Sequence, residues 1–282
     1  MKFPQFIPIL QQIFIKTPIM KLLYIHGYNG SPNGNSYKLL QKHLPNNWEI
    51  IGMDYFQDDC TTALCQIKET IIKEKIDVVV GSSLGGYLAL LITGVKRYII
   101  NPCYKPSIEL PKLKSCNELP TPSKEMINSY AEYEHMISNI PPEDKKNIYG
   151  IFGDNDELLG DTYIECFMED IGKSPIIIPS GHHLSDDIAK FVCYHITIRI
   201  EDLENAHKLS AENKEQIAKS SLCGCFSCCK IFTPDKIEDW IQEKNGKESA
   251  ICPYCYSDTI LGNASNYPVN ENFLRAMNER WF

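Results

Sequence analysis

Two groups of residues in this chain of 282 residues have the types and spacing to do chemistry. The first is Gly81-Ser82-Ser83-Leu84-Gly85, a G-x-S-x-G run. Glycines two residues before and after Ser83 let a strand turn sharply into a helix, which exposes one hydroxyl and aims the helix N-terminus at it. The register selects Ser83, because Ser82 has no glycine at either position. A serine hydroxyl is a poor nucleophile until a base takes its proton. His182 and His183, in Ser180-Gly181-His182-His183-Leu184, are the candidate bases. Placement after a late strand favours His183, with His182 as the competitor. A carboxylate must then fix the imidazole tautomer. Asp154, Asp156 and Glu157 all qualify, and the G-x-x-D spacing from Gly153 favours Asp156. Two backbone N–H groups would complete an oxyanion hole: that of Leu84, next after the nucleophile, and that of Tyr28 in His26-Gly27-Tyr28. His26 itself reads as an organiser of that loop.

The second group is sulfur. Six of the 12 cysteines fall between Cys223 and Cys255. Cys225-x2-Cys228 and Cys252-x2-Cys255 form two knuckles separated by 23 residues. Each knuckle places two thiolates on one tight turn, the pattern of a tetrahedral zinc site. Cys223 and Cys229 are extra, and the two-residue spacing favours Cys225 and Cys228 over them. Four thiolates leave no open position, so one structural Zn2+ is expected, with no cofactor for catalysis.

These groups need elements to position them. From Lys21 onward, short apolar runs alternate with helical periodicity. Strands are expected over 22–25, 50–53, 76–80, 98–100, 148–152 and 176–178, and helices over 35–44, 59–74, 86–91 and 186–195. The alternation implies an α/β fold with a mostly parallel sheet and helices on both faces. Residues 102–146 interrupt it with seven prolines around a helical stretch at 124–137, read as a small cap rather than a plain crossover. After 195 the pattern changes. One polar helix is expected over 201–219, a second over 234–244 and a last over 271–281, making 196–282 a separate small zinc-binding domain. Residues 1–19 read as an extension, either upstream of a start at Met20 or on the surface of the 20–195 domain.

Composition narrows the partners. Lys and Arg number 28 against 36 Asp and Glu, a formal charge of −8. The balance is even along the chain: 18 basic and 23 acidic residues in 1–195, 10 and 13 in 196–282. Nucleic-acid binding needs a concentrated basic surface, so it is disfavoured as a role. The apolar run at 3–15 is too short to span a bilayer and contains two prolines, so no membrane role is expected. Clustered cysteines without a secretory signal point to a reducing, cytoplasmic compartment.

Leu22 to Asn29 with Ser31-Pro32, the elbow from Val80 to Tyr87, and Asn101-Pro102 followed by Pro106 resemble the YqiA/YcfP-type esterases of the α/β-hydrolase superfamily over about 20–195. That resemblance implies Ser83, Asp156 and His183 as the triad, and a serine esterase or thioesterase acting on short acyl esters. Where that family's motif usually has Arg, this chain has Lys105. The end of the chain resembles a family of uncharacterised cytoplasmic proteins. It does so through Cys223-Gly224-Cys225-Phe226, Ile231-Phe232, Cys252-Pro253-Tyr254-Cys255 and Pro268. That likeness implies a zinc-binding accessory domain with no activity of its own. The competing expectation is a catalytically idle hydrolase fold whose zinc module recruits a protein or nucleic-acid partner.

Overall fold

The computed structural model describes residues 19–112 and 120–282. The expectation for 1–19 falls almost wholly outside them. In chain order the elements begin β1 (Met20–Ile25), α1 (Asn35–His43), β2 (Trp48–Met53), α2 (Cys60–Glu74), β3 (Val78–Ser82), α3 (Leu84–Leu90) and β4 (Lys96–Ile100). Next come α4 (Pro106–Lys112), α5 (Lys124–Ala131), α6 (Pro142–Lys145), β5 (Ile148–Gly153), α7 (Thr162–Ile171), β6 (Ile176–Ile178) and α8 (Asp186–Thr197). The chain closes with α9 (Ile200–Lys208), α10 (Lys214–Ala218), β7 (Cys223–Cys225), β8 (Ile231–Phe232), β9 (Trp240–Gln242), β10 (Glu248–Ala250), β11 (Ile260–Gly262) and α11 (Glu271–Trp281).

The first six strands form one sheet in the order β2-β1-β3-β4-β5-β6. β1 pairs in parallel with β2 and β3, and β3–β4 and β4–β5 are parallel as well. The fold is thus α/β-hydrolase-like, with a compact Cys-rich module at the C-terminal end. Strands covered on both faces read as continuous apolar runs. Val79, Val80, Ile99, Ile100 and Ile151 accordingly have no solvent exposure. The strand order reverses at β1: the chain moves outward to β2, then returns to lay β3 on the other side. Such a switch point opens a crevice at the carboxyl ends of the two strands, where open α/β sheets bind ligands. The loop after β1 begins at His26, and Ser83 follows β3 directly.

Inter-residue contacts divide the chain into two compact units. The first holds the described residues up to Tyr37, with Pro45–Phe152 and Leu158–Ile176. In it, α5 is pinned by a buried bond from Tyr87 Oη to Tyr130 O (2.8 Å) and by Cys60 N–H to Ser129 Oγ (2.9 Å). The expected helix over 124–137 stops at Ala131, followed by one tight turn at Glu134–Met136. α7 was not among the expected helices, although Tyr163, Phe167 and Ile171 recur every fourth residue and are all buried.

The second unit holds Lys38–Leu44, Gly153–Glu157 and Ile177–Phe282. Its strands β11-β7-β8 form an antiparallel sheet, and β9–β10 a hairpin. A β-carbon on Gly224 would lie 2.6 Å from Leu274 Cδ1, so α11 packs directly on β7. Phe226, Leu261, Phe273, Leu274 and Met277 form a cluster there, with Tyr194 and Ile198 from the end of α8 packed against it. His195 Nε2 lies 3.0 Å from Glu279 Oε2, which ties α8 to α11 again. On the neighbouring residue, Asn278 Nδ2 donates to Phe226 O (3.0 Å) and Ser227 O (2.9 Å).

Two helix expectations fail in this unit for identifiable reasons. The run 201–219 breaks between α9 and α10, where Glu212 takes a left-handed φ of 52°. There Asn213 is buried, donating to Ile260 O (2.8 Å) and accepting from Ala250 N–H (2.9 Å), and Glu212 N–H donates to Ser249 Oγ (2.8 Å). These tertiary bonds outweigh helical continuity. The run 234–244 becomes a short turn and then β9, because Asn245-Gly246 makes a hairpin turn with Gly246 at φ 82°. No helix among the described residues is long and apolar enough to cross a membrane.

A buried ion pair anchors the first unit. Arg97 is fully buried, and its Nη2 meets Asp144 Oδ2, while Asp144 Oδ1 accepts the Gly94 N–H (2.9 Å). Burial alone would raise the Asp144 carboxyl, but the bonds from Arg97 and Gly94 outweigh it and hold it below its ordinary value. Asp144→Ala strands a buried guanidinium and should cost about 3–5 kcal/mol in denaturant unfolding. In wild type this contribution should be complete above about pH 4 and be lost as pH falls further.

Candidate active site and metal centre

At Ser83 the backbone has φ 54° and ψ −118°. Such a conformation costs a non-glycine residue about 1–3 kcal/mol and persists only where its surroundings over-determine it. Here they do. Ser83 N–H donates to Ile100 O (3.0 Å), and Ser83 O accepts from Tyr87 N–H and Cys103 N–H (3.0 Å each). The flanking glycines are required by contact. A β-carbon on Gly81 would sit 2.3 Å from Gly85 O, and one on Gly85 would sit 2.2 Å from Ile25 O. Gly85 thus lets the start of α3 touch the end of β1. The loop after β1 reaches the serine itself, since a β-carbon on Gly27 would lie 3.1 Å from Ser83 Cβ and 3.5 Å from Ser83 Oγ.

That loop is held by its own carbonyl. Gly27 O accepts the Gly30 N–H (3.0 Å) and faces His26 Nδ1 (2.8 Å). The peptide unit is planar and trans, so fixing Gly27 O also fixes the opposite direction for the Tyr28 N–H. No backbone carbonyl among the described residues takes that N–H. Tyr55 Oη donates to His26 O (2.8 Å), and Tyr28 Oη donates to Pro120 O (3.0 Å), linking the loop to the 102–146 segment. Leu84, the other expected donor, is the first residue of α3 and fully buried.

Of the two adjacent histidines, His182 rather than His183 meets the acid. His182 Nδ1 lies 2.9 Å from Asp156 Oδ2 and 3.1 Å from Oδ1, with both side chains about 95 % buried. An ionised carboxylate only accepts, so Nδ1 is the donor in this pair. His183 is exposed. Both histidines lie in a bend, with His182 and Leu184 buried and His183 exposed between them. The apolar Leu184, buried like His182, is the nearest sequence signal to separate the two.

Asp154 and Glu157 are exposed, yet neither is a merely solvated turn residue. Asp154 Oδ1 accepts the Ser180 N–H (3.1 Å), and Glu157 Oε2 accepts the His182 N–H (2.9 Å). Bonds from its own N–H and from His182 N–H hold the Glu157 carboxyl below its ordinary value.

In the second unit, sulfurs of Cys225, Cys228, Cys252 and Cys255 all lie within 4.8 Å of one another. Cys225 and Cys255 sulfurs are 3.5 Å apart, and those of Cys228 and Cys252 3.8 Å. Tetrahedral coordination at a metal–sulfur distance of about 2.3 Å spaces the sulfurs by about 3.8 Å, so the four can chelate a metal. The two knuckles repeat one geometry. The residue after each is left-handed, Cys229 at φ 57° and Tyr256 at φ 60°. The next N–H, of Lys230 and of Ser257, then bonds back to the knuckle's second sulfur. Burial alone would raise the Cys255 thiol, but the Ser257 hydroxyl and N–H bring it down to about 6. Cys223 is buried within β7, and Cys229 packs on the Phe226 cluster, so both serve the apolar core.

The family model described as Uncharacterised protein family (UPF0227) matches residues 21–166, just over half the chain. No curated protein matches the sequence. Among solved structures, Est1E from Butyrivibrio proteoclasticus is similar at 15% identity and a TM-score of 0.48, over 64% of this chain and 87% of its own. A thermophilic esterase from Thermogutta terrifontis is similar at 13% and 0.48, over 64% and 88%. The esterase EaEST from Exiguobacterium antarcticum is similar at 16% and 0.47, over 64% and 91%. At this level of likeness they add nothing to the sheet order and elbow described above.

The knuckle geometry separates neighbouring cysteines. Metal analysis of the full chain should find one thiophilic divalent ion, lost in Cys228→Ser and retained in Cys229→Ser. Equal retention in both variants would exclude Cys228 as a ligand.

Proposed function

We propose that this chain, which belongs to the Uncharacterised protein family (UPF0227), is a serine hydrolase cleaving short acyl esters or thioesters. The observation that carries the reading is the strained left-handed backbone at Ser83, built by two contact-required glycines beside the loop after β1. A turn of that cost is stored where function uses it. Ser83 is the nucleophile. The base moves from His183 to His182, on the strength of the Asp156 pairing and the exposure of His183. In this reading Ser83 Oγ attacks the acyl carbon as His182 Nε2 takes its proton. Asp156 keeps the proton on Nδ1 and stabilises the imidazolium. Leu84 and Tyr28 N–H groups receive the oxyanion. The alcohol or thiol leaves with the proton from His182, and water, activated by the same nitrogen, releases the acid from acyl-Ser83. Ser83 and Asp156 keep the roles that the resemblance to YqiA/YcfP-type esterases implies; His182 in place of His183 and Lys105 are the departures.

The four clustered cysteines are read as a structural zinc site in a module over 196–282, beside a hydrolase domain over 20–195. With four thiolates the ion has no open position and supplies folding energy. The 11 free cysteines among the described residues support a reducing, cytoplasmic setting. A protein partner for the module is the companion reading, favoured by the exposed Tyr254 and Tyr256 at the second knuckle. The near-balanced charge again disfavours nucleic acid.

A fluorophosphonate probe should label the wild type and not Ser83→Ala. On p-nitrophenyl acetate, Ser83→Ala and His182→Ala should each lose about 10³-fold or more in kcat/KM. Ser82→Ala and His183→Ala should stay within about threefold, as substitutions outside the reacting set do. Labelling of Ser83→Ala, or a larger loss at His183 than at His182, would falsify these assignments.

A further inference from the structure

Resting on that reading of Ser83, Asp156 and His182, we propose that Glu157 is a positioning residue for the base: its carboxylate holds the backbone of His182 while Asp156 holds the ring. The two carboxylates are consecutive in sequence and grip the same residue at different points. Asp156 meets Nδ1 at 2.9 Å, and Glu157 Oε2 accepts the backbone N–H at 2.9 Å. A ring bond alone fixes the imidazole relative to Asp156. It does not fix where the Cα of His182 stands, and Nε2 follows both.

The surrounding bonds show why this grip is needed. The segment after β5 is bonded to the end of β6 and to the segment that follows it. Asp154 N–H donates to Ile178 O, Asn155 N–H to Ser180 O, and Ser180 N–H to Asp154 Oδ1, each at 3.1 Å. Glu157 carries this ladder on to His182 itself. The intervening residue, Gly181, is the most permissive backbone type, so the base sits just beyond a soft joint. Gly181 is also required by the proposed grip. A β-carbon there would lie 2.6 Å from Glu157 Oε2, so the carboxylate occupies the space a side chain would fill. Glycine before the base and glutamate after the acid are therefore one device. The low Glu157 carboxyl keeps the acceptor ionised at neutral pH. A charged acceptor makes the stronger bond.

The test uses the full chain with three substitutions. Glu157→Ala removes the acceptor, Glu157→Gln keeps an acceptor oxygen of the same reach, and Gly181→Ala puts a methyl group where the carboxylate stands. Turnover of p-nitrophenyl acetate is read together with the Nδ1-bound proton of His182 in protein labelled with ¹⁵N-histidine. Glu157→Ala and Gly181→Ala should each lose about 10-fold to 10²-fold in kcat, the scale on which small misplacements of catalytic groups are felt. KM should stay within about twofold. The double variant should lose no more than either single one, because both remove one contact. Glu157→Gln should remain within about threefold of wild type. The His182 Nδ1–H signal should persist in wild type and Glu157→Gln, and broaden or vanish in Glu157→Ala.

Wild-type turnover and an unchanged signal in Glu157→Ala overturn the proposal. So does an equal loss in Glu157→Gln, which would mean that charge and not the bond matters. Both results leave the nucleophile standing as long as Ser83→Ala is inactive. If Ser83→Ala keeps its turnover, the hydrolase reading fails instead. The Nδ1–H signal, which needs no turnover, then decides the role of Glu157 alone.

Discussion

Close backbone contact between β1 and the start of α3 is the constraint from which the geometry of the serine turn follows. Gly85 meets the Ile25 and His26 carbonyls where no β-carbon fits, and Gly81 meets Gly85 in the same way. Those two contacts force the chain to reverse within a few residues, and Ser83 absorbs the reversal at φ 54°. The bonds to Ile100, Tyr87 and Cys103 keep it from relaxing. The sheet order supplies the space: with β1 and β3 adjacent at the switch point, one loop and one helix terminus meet over the same crevice.

Conformational strain at one end of the sheet is matched by electrostatic order elsewhere. In the first unit Asp144 neutralises the fully buried Arg97. In the second, Asp154, Asp156 and Glu157 spend their oxygens on a single loop. A buried charge alone is costly, and a buried charge with a fixed partner is an orienting device. The same logic runs through the sulfur cluster, where Ser257 and backbone N–H groups face the thiols.

Much of this was legible in the sequence, and the limits are instructive. The parallel strands were visible because two-sided burial leaves unbroken apolar runs. β6 and α11 match their expected ranges, since turn residues or an Asn cap bound them sharply. The elbow could be read because glycine at two fixed offsets has a steric cause. Loop position favoured His183 with His182 as the competitor, because it says nothing about which of two neighbours faces inward; His182 is the one that meets Asp156. The break between α9 and α10 was hidden because it depends on Asn213 bonding Ala250 and Ile260, partners distant in sequence. The β9–β10 hairpin had a local signal in Asn245-Gly246, which the helical reading of 234–244 passed over. Glu157 looked like one more acid in a turn until its bond to the His182 backbone was in view.

The seam between α8 and α11 has a consequence for inheritance and engineering. Adjacent residues on one helical turn face two ways: Asn278 ties down the first knuckle through Phe226 and Ser227, and Glu279 reaches His195. Tyr194 and Ile198 close the same seam with apolar surface. A cassette that can be shuffled freely between proteins has a polar, loosely joined border. This border is apolar, with the His195–Glu279 contact set into it, and it runs along the helix that follows the His182 loop. A recombination point at 195 would split one packed layer into two exposed halves. The Cys-rich module is therefore suited to travel only together with α8, so a donor sequence that keeps the knuckles but alters that helix should graft poorly.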